Sequence, residues 1–186
     1  MKLVSVAEMQ AVEREANAAG FTYEMMMENA GTNLAEVIQE EYGYLEEEGT
    51  LGLVGSGNNG GDTLVALAWL AKQGWKTSAY IVRPRPADDP LVQRLVEAGG
   101  SIISIEEDGR LKKLAALLKE NQIVLDGVLG TGMRLPLKPE LAQVLGFVRK
   151  KILGMEEPPS VIAVDCPSGI DCDSGEAAPE CIPAEM

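Results

Sequence analysis

Gly55-Ser56-Gly57-Asn58-Asn59-Gly60-Gly61-Asp62 is the stretch on which the reading of this chain turns. The apolar run Leu51–Val54 precedes it, and a helical pattern, Thr63–Lys72, follows. Glycines let a backbone turn tightly and approach a ligand, and a helix start offers free N–H groups to an anion. Gly55, Gly57 and Gly60 satisfy G-x-G-x-x-G, a dinucleotide fingerprint that also wants an acidic residue at the end of the next strand for the ribose hydroxyls. Here the next apolar run, Thr77–Val82, leads into Arg83-Pro84-Arg85. Gly55 and Gly60 also fit the spacing of a P-loop, yet Gly61-Asp62 stand where Lys-Ser/Thr is required. The turn therefore reads as one that approaches a phosphate or nucleotide, in neither a typical dehydrogenase nor a P-loop ATPase.

Outward from this turn, short apolar runs alternate with amphipathic ones. The predicted strands are Thr50–Val54, Thr77–Val82, Ser101–Ile105, Gln122–Leu125 and Ser160–Val164, with helices over Thr63–Lys72, Asp89–Ala98, Gly109–Glu120 and Glu140–Ile152. Ahead of them, Ser5-Val6-Ala7-Glu8 forms a capping box for one helix, and Thr22 caps a second that runs from Tyr23 to about Glu41. Alternating strand and helix means an α/β fold with a mostly parallel sheet covered on both faces. The right-handed crossover rule then favours a Rossmann-like, three-layer αβα arrangement of strand order 3-2-1-4-5, with two extra N-terminal helices. One domain over residues 1–186 is expected. The tail Gly175–Met186, rich in Pro, Glu and Ala, reads as disordered or as a severed connection.

Ligands bind beyond the carboxyl ends of strands where the winding reverses, here between the first and fourth strands. Three turns converge there. They are the glycine stretch, Asp126-Gly127-Val128-Leu129-Gly130-Thr131-Gly132 after the fourth strand, and Asp165-Cys166-Pro167-Ser168-Gly169-Ile170-Asp171 after the fifth. Each of Asp62, Asp126 and Asp165 is then expected at or just past a strand end. Taken singly, Asp62 is as readily a helix cap, while turn chemistry is the lesser alternative for Asp126 and Asp165. Together their carboxylates repel unless a cation intervenes. Oxygen ligands such as Asn59, Asp126 and Ser168 suit a hard cation and not zinc. Met25-Met26-Met27 reads as core or helix surface, and Arg83, Arg85 and Arg134 as solvated side chains unless they reach phosphates.

Composition removes several classes. The chain has 186 residues, 29 acids against 16 bases, a formal charge of −13 and no histidine. That charge repels polyanions, so no nucleic-acid partner is expected. Without histidine, proton transfer falls to carboxylates, Lys, Tyr, Cys or water. Asp165, placed past the fifth strand, is the first choice of acid–base residue, and Asp62 the second. Cys166 has no neighbouring activator for its thiolate. The three cysteines, Cys166, Cys172 and Cys181, read as free thiols of a cytoplasmic protein. Met1-Lys2-Leu3-Val4-Ser5 opens no apolar signal core, and no run suits a membrane span.

Asn58-Asn59-Gly60-Gly61-Asp62, the Asp126–Gly132 turn and the Asp165–Asp171 turn, with Met27-Glu28-Asn29-Ala30-Gly31, resemble the YjeF N-terminal domain family. The resemblance implies NAD(P)H-hydrate epimerase activity, the interconversion of R and S hydrates of NADH and NADPH (NADHX and NADPHX) at C6 of the nicotinamide ring. It implies substrate contacts from Asn58, Asn59, Gly60, Gly61, Asp62, Gly130, Thr131, Gly132, Met133, Arg134, Leu135, Pro136 and Asp165. It implies potassium held by Asn59, Asp126 and Ser168, a homodimer, and an ADP- or ATP-dependent dehydratase, fused or separate, acting on the S form. The family turn usually ends Gly-Asp-Gly, whereas Thr63 follows Asp62 here. Family members also continue past the Pro-Ser-Gly segment, so a domain truncated at its C-terminal end is expected. The alternative is a non-catalytic binding or scaffold module of the same type. A generic oxidoreductase is disfavoured by the missing ribose acid.

Overall fold

The computed structural model describes residues 4–186; Met1–Leu3, part of the stretch read above as lacking a signal core, lie outside the described residues. Two helices open the chain, α1 (Val6–Ala18) and α2 (Tyr23–Tyr42). Then come β1 (Thr50–Val54), α3 (Asn58–Lys72), β2 (Thr77–Ile81), α4 (Pro90–Glu97), β3 (Ser101–Ser104), α5 (Lys112–Glu120), β4 (Ile123–Gly127), α6 (Pro139–Leu153) and β5 (Ser160–Ala163). All strand pairs are parallel and the order is β3-β2-β1-β4-β5, as the alternation of runs predicts. The Ser5 capping box forms in full, and Thr22 caps α2 through the amide of Met25. Among the described residues, no helix is long and apolar enough to cross a membrane.

The sheet has a core on each face, because its central strands are buried on both sides and run nearly continuously apolar. On one face Leu64, Leu67 and Leu70 of α3 pack with Ile38 of α2 and Leu95 of α4. On the other, Leu114 and Leu118 of α5 and Leu145 and Val148 of α6 pack on Leu51, Leu53 and Val124. The crossing of α2 over α3 is close: a Cβ at Gly31 would fall 2.5 Å from Val65 Cβ and 2.6 Å from Asp62 O. This contact brings the Met26–Met27 turn of α2 against the start of α3.

Most element ends fall within two residues of the sequence reading; two helix starts move further, both for local reasons. Helix α3 begins at Asn58, not Thr63, because Gly57 supplies the extended residue before it and the Gly61 amide bonds Gly57 O at 3.1 Å. Helix α5 begins at Lys112, not Gly109. Buried Asp108 accepts from the amides of Lys112 (2.7 Å) and Leu114 (2.9 Å), which holds the first turn there.

The tail corrects the expectation of disorder. Ile182 is fully buried beside Leu145 and Val148, a burial that contributes about 2 kcal/mol. Glu185 N donates to Val161 O (2.9 Å), and Ala163 N donates to Met186 O (2.7 Å). The segment thus lies along the free side of β5. Its apolar residues are too sparse for a periodic signal, but they meet a ready surface.

Candidate active site

The turns after β1 and β4 touch at the reversal of the sheet. Gly55 N donates to Gly127 O (3.1 Å), and Gly55 has no room for a side chain because Val128 O occupies that space. Gly60 sits under the Gly55 carbonyl, and Gly61 packs on Met27 Sδ. These glycines are therefore spent on chain crossings. Thr63, the departure from the family pattern, is buried and donates to Asn59 O at 2.7 Å in the helix behind them. The first turn of α3 has no side-chain cap, so its amides are available to an acceptor in front of it.

Asn59 ties three elements together. Its Nδ2 donates to Leu129 O (3.1 Å) after β4 and to Val164 O (2.6 Å) after β5. Behind it, Asp126 is fully buried on β4, with Ser168 Oγ donating to Oδ1 (2.6 Å) and Ser168 N to Oδ2 (2.8 Å). The Leu129 amide in turn donates to Ser168 Oγ (2.9 Å). Asn59, Asp126 and Ser168 thus share one cluster, linked through Leu129. Burial pushes the Asp126 carboxyl up, and the bonds from Ser168 oppose that rise. No arginine or lysine pairs with Asp126 among the described residues.

In front of the cluster opens a cavity of about 720 Å³. Asn58, Asn59, Asp62, Gly130, Thr131, Gly132, Met133 and Asp165, all expected at the substrate, line it. Gly60 and Gly61 do not, for the packing reasons above. Nor do Arg134, Leu135 and Pro136: Arg134 is exposed, while Leu135 and Pro136 face a separate groove closed by Leu137 and tail residues Ala177–Glu180. Those apolar side chains pack toward the tail and not toward the cavity. Met26 and Met27 line the cavity, while Met25 is on the surface. Glu13 and Gln10 of α1, Tyr23 of α2 and Arg83 after β2 also reach it. Sequence spacing alone marks Gln10 and Glu13 as one helix face, three residues apart, but gives no sign that this face meets a cavity.

Asp62 is not a helix cap and is not at a strand end; it lies in the second turn of α3, half-buried in the cavity wall. Desolvation, with Asp165 and Glu13 adding their charges, pushes its carboxyl up to about 7. Asp165 is more exposed, and partial desolvation raises it as well. Its φ is +68°, and Cys166 N bonds Val164 O at 2.9 Å. That is the tight, strained turn of a three-residue loop, and Asp tolerates it better than most side chains. Strain of this kind clusters at functional sites. The Cys166 thiol is pushed up by burial, which disfavours the thiolate.

Arg85 does not reach for a ligand. Its Nε donates to Asp89 Oδ2 (2.7 Å), and one terminal nitrogen donates to Gly55 O (2.8 Å). It braces the glycine turn from behind. Among the described residues no group of three or more His, Cys, Asp or Glu is gathered as metal ligands. A multi-carboxylate divalent site is thus not what the three aspartates build. Asp62 and Asp165 share the cavity, and Asp126 lies behind it.

A family model described as YjeF-related protein N-terminus matches residues 23–186. The chain is 35% identical over 174 residues to an NAD(P)H-hydrate epimerase of Clavibacter sepedonicus, covering 92% of this chain and 72% of that protein. It is 30% identical over 190 residues to an NAD(P)H-hydrate epimerase of Cenarchaeum symbiosum, covering 98% and 82%. A bifunctional NAD(P)H-hydrate repair enzyme of Thermofilum pendens is 32% identical over 185 residues, and there the chain spans only 33% of the relative's length. The crystal structure of yeast ynu0 superposes with a TM-score of 0.84 at 22% identity, covering 99% of this chain and 78% of that one. That likeness carries the fold.

Proposed function

Because the chain belongs to the YjeF-related N-terminal family, we propose that it is an NAD(P)H-hydrate epimerase that interconverts the R and S forms of NADHX and NADPHX. The observation that carries this reading is the pairing, in one cavity, of two carboxyls with unequal environments. Inversion at C6 makes and breaks the bond to the hydroxyl oxygen, or opens and recloses the ring. Either route needs one group that gives a proton and one that takes it. Asp62, held protonated to about pH 7, is suited to donate. Asp165, more open to water, is suited to accept, and each resets the other when the direction reverses. The uncapped start of α3 offers its amides to the substrate's phosphates.

Potassium fits the cluster behind the cavity. The donor set is oxygen only, with one formal charge at Asp126, carbonyls at Leu129 and Val164, and the Ser168 hydroxyl. Asn59 now lays its NH₂ between the two carbonyls; turning the amide over presents Oδ1 instead. Asn59, Asp126 and Ser168 would hold the ion, which would supply a fixed positive charge that locks the three turns together.

The setting that suits this activity is the cytoplasm, with an ADP- or ATP-dependent dehydratase, fused or separate, consuming the S form. Relatives named as bifunctional repair enzymes support a fused arrangement. A homodimer is supported by the exposed apolar side chains Met9, Val12, Phe21, Tyr23 and Met25 on and between the first two helices. The test supplies mixed epimers with an S-specific dehydratase. Complete conversion, faster than spontaneous epimerisation, is expected. Conversion that stalls at the S fraction refutes the activity.

A further inference from the structure

Three arginines stand near the site in sequence, and the structure separates them. Arg85 is committed to Gly55 O and Asp89. Arg134 is exposed and off the cavity wall. Arg83 lines the cavity, is half-buried, and has no ion pair or hydrogen bond among the described residues. It is also the one Lys or Arg in that lining among the described residues, a lining that also holds Glu13, Asp62 and Asp165.

We propose that Arg83 reads a 2′-phosphate on the adenosine ribose, so that this chain selects NADPHX over NADHX; the proposal rests on the epimerase reading above. The sheet order gives the direction of the substrate. Asp165, at the reacting ring, lies after β5, and the uncapped amides of α3 lie after β1. A dinucleotide extended from one over the other continues toward β2, the next strand out, and Arg83 is the second residue past its end. In doubly wound sheets this position meets the ribose. An acid there takes the 2′-hydroxyl, and an arginine accommodates the 2′-phosphate. No acid occurs from Thr77 to Ala87, and Asp89, the nearest buried one, is held by Arg85 and caps α4.

The charge balance points the same way. Bringing a phosphate into a cavity already lined with three carboxylic residues is unfavourable unless a cation meets it. Arg83 offers a planar fork that matches phosphate geometry. Its backbone is held for the task. Val82 N bonds Val54 O at 2.9 Å, and Pro84 restricts Arg83 to extended conformations.

Two measurements test this. In the first, kcat/KM is measured for NADPHX and for NADHX with the wild type and with Arg83→Gln. The wild type is expected to favour NADPHX by about 10- to 100-fold, the range of a charge-assisted pair. Arg83→Gln is expected to erase most of that ratio. A ratio near one in the wild type overturns the proposal. So does a ratio that Arg83→Gln leaves in place while both substrates weaken together, which would assign Arg83 to the pyrophosphate. The second measurement is calorimetric binding of 2′-phospho-ADP-ribose against ADP-ribose, which needs no turnover. Tighter binding of the 2′-phosphorylated probe, lost in Arg83→Gln, upholds the phosphate reading even if no epimerase activity is found. Equal binding of the two probes overturns it even if the enzyme is active.

Discussion

Replacing Asp62 by Asn should stabilise the protein, and by an amount that depends on pH. Asn mimics the protonated acid in shape and removes the charge. The Asp62 carboxyl is raised from 3.8 to about 7 by desolvation and by the charges of Asp165 and Glu13. A raised carboxyl binds its proton more tightly in the folded state, so the wild type loses stability as pH climbs from about 4, where the unfolded chain ionises, to about 7, where the folded one does. A rise of that size sets a ceiling of about 4 kcal/mol on the loss. The side chain is partly open to the cavity, and solvent screening halves this to about 2 kcal/mol. For a chain of this size the gap in melting temperature is then about 4–8 °C at pH 8. It should shrink toward zero at pH 4. Thermal unfolding of wild type and Asp62→Asn, followed by circular dichroism from pH 4 to pH 8, measures the difference directly, and background titrations cancel between the two proteins. A gap that is flat with pH, or one that widens on acidification, would refute the account of Asp62 as a desolvated acid.

Asp165→Asn keeps a side chain suited to positive φ, so turnover should fall by about 10²-fold or more while the melting temperature stays within a few degrees. Stopped assays on purified R epimer check the rate, and unchanged turnover removes Asp165 from the mechanism. Ser168→Ala leaves the Leu129 amide and an Asp126 oxygen without partners in a buried site, at a cost of about 3 kcal/mol. The urea midpoint should drop by about 1.5 M. Potassium at saturating concentration should raise the melting temperature by several degrees over tetramethylammonium at equal ionic strength, through preferential binding to the folded state. Asp126→Asn should abolish that rise, and an equal response in both proteins would exclude the cluster as the ion's seat.

Sheet order is legible because Leu51–Val54, Ile123–Leu125 and the other apolar runs are short, β-rich and separated by helical patterns. The right-handed crossover rule then leaves few alternatives. The three turns are legible for a related reason: at a reversal in winding, chain ends must crowd, and residues such as Gly55 and Gly127 report the crowding. What stays hidden depends on distances between segments far apart in the chain. Glu13 sits on a helix whose residues are mostly exposed, and only the placement of α1 turns that face toward Asp62. The start of α3 escapes the pattern because glycines inside a first helical turn imitate a loop; their role becomes clear only when Gly55 O is seen lying where a Cβ of Gly60 would go. Arg83 and Arg85 are nearly identical by pattern, yet one braces a turn and the other is unpartnered.

The path of residues Ile182–Met186 beside β5 has a consequence for the molecule among its neighbours. An uncovered margin of a parallel sheet displays unpaired amides and carbonyls that can recruit a strand from another copy. Here two of those groups are already taken, at Val161 and Ala163. The opposite margin is the four-residue β3, with a serine at each end. Removing Ile182 should therefore expose a growth point, and the first symptom would be precipitation on concentrating the protein.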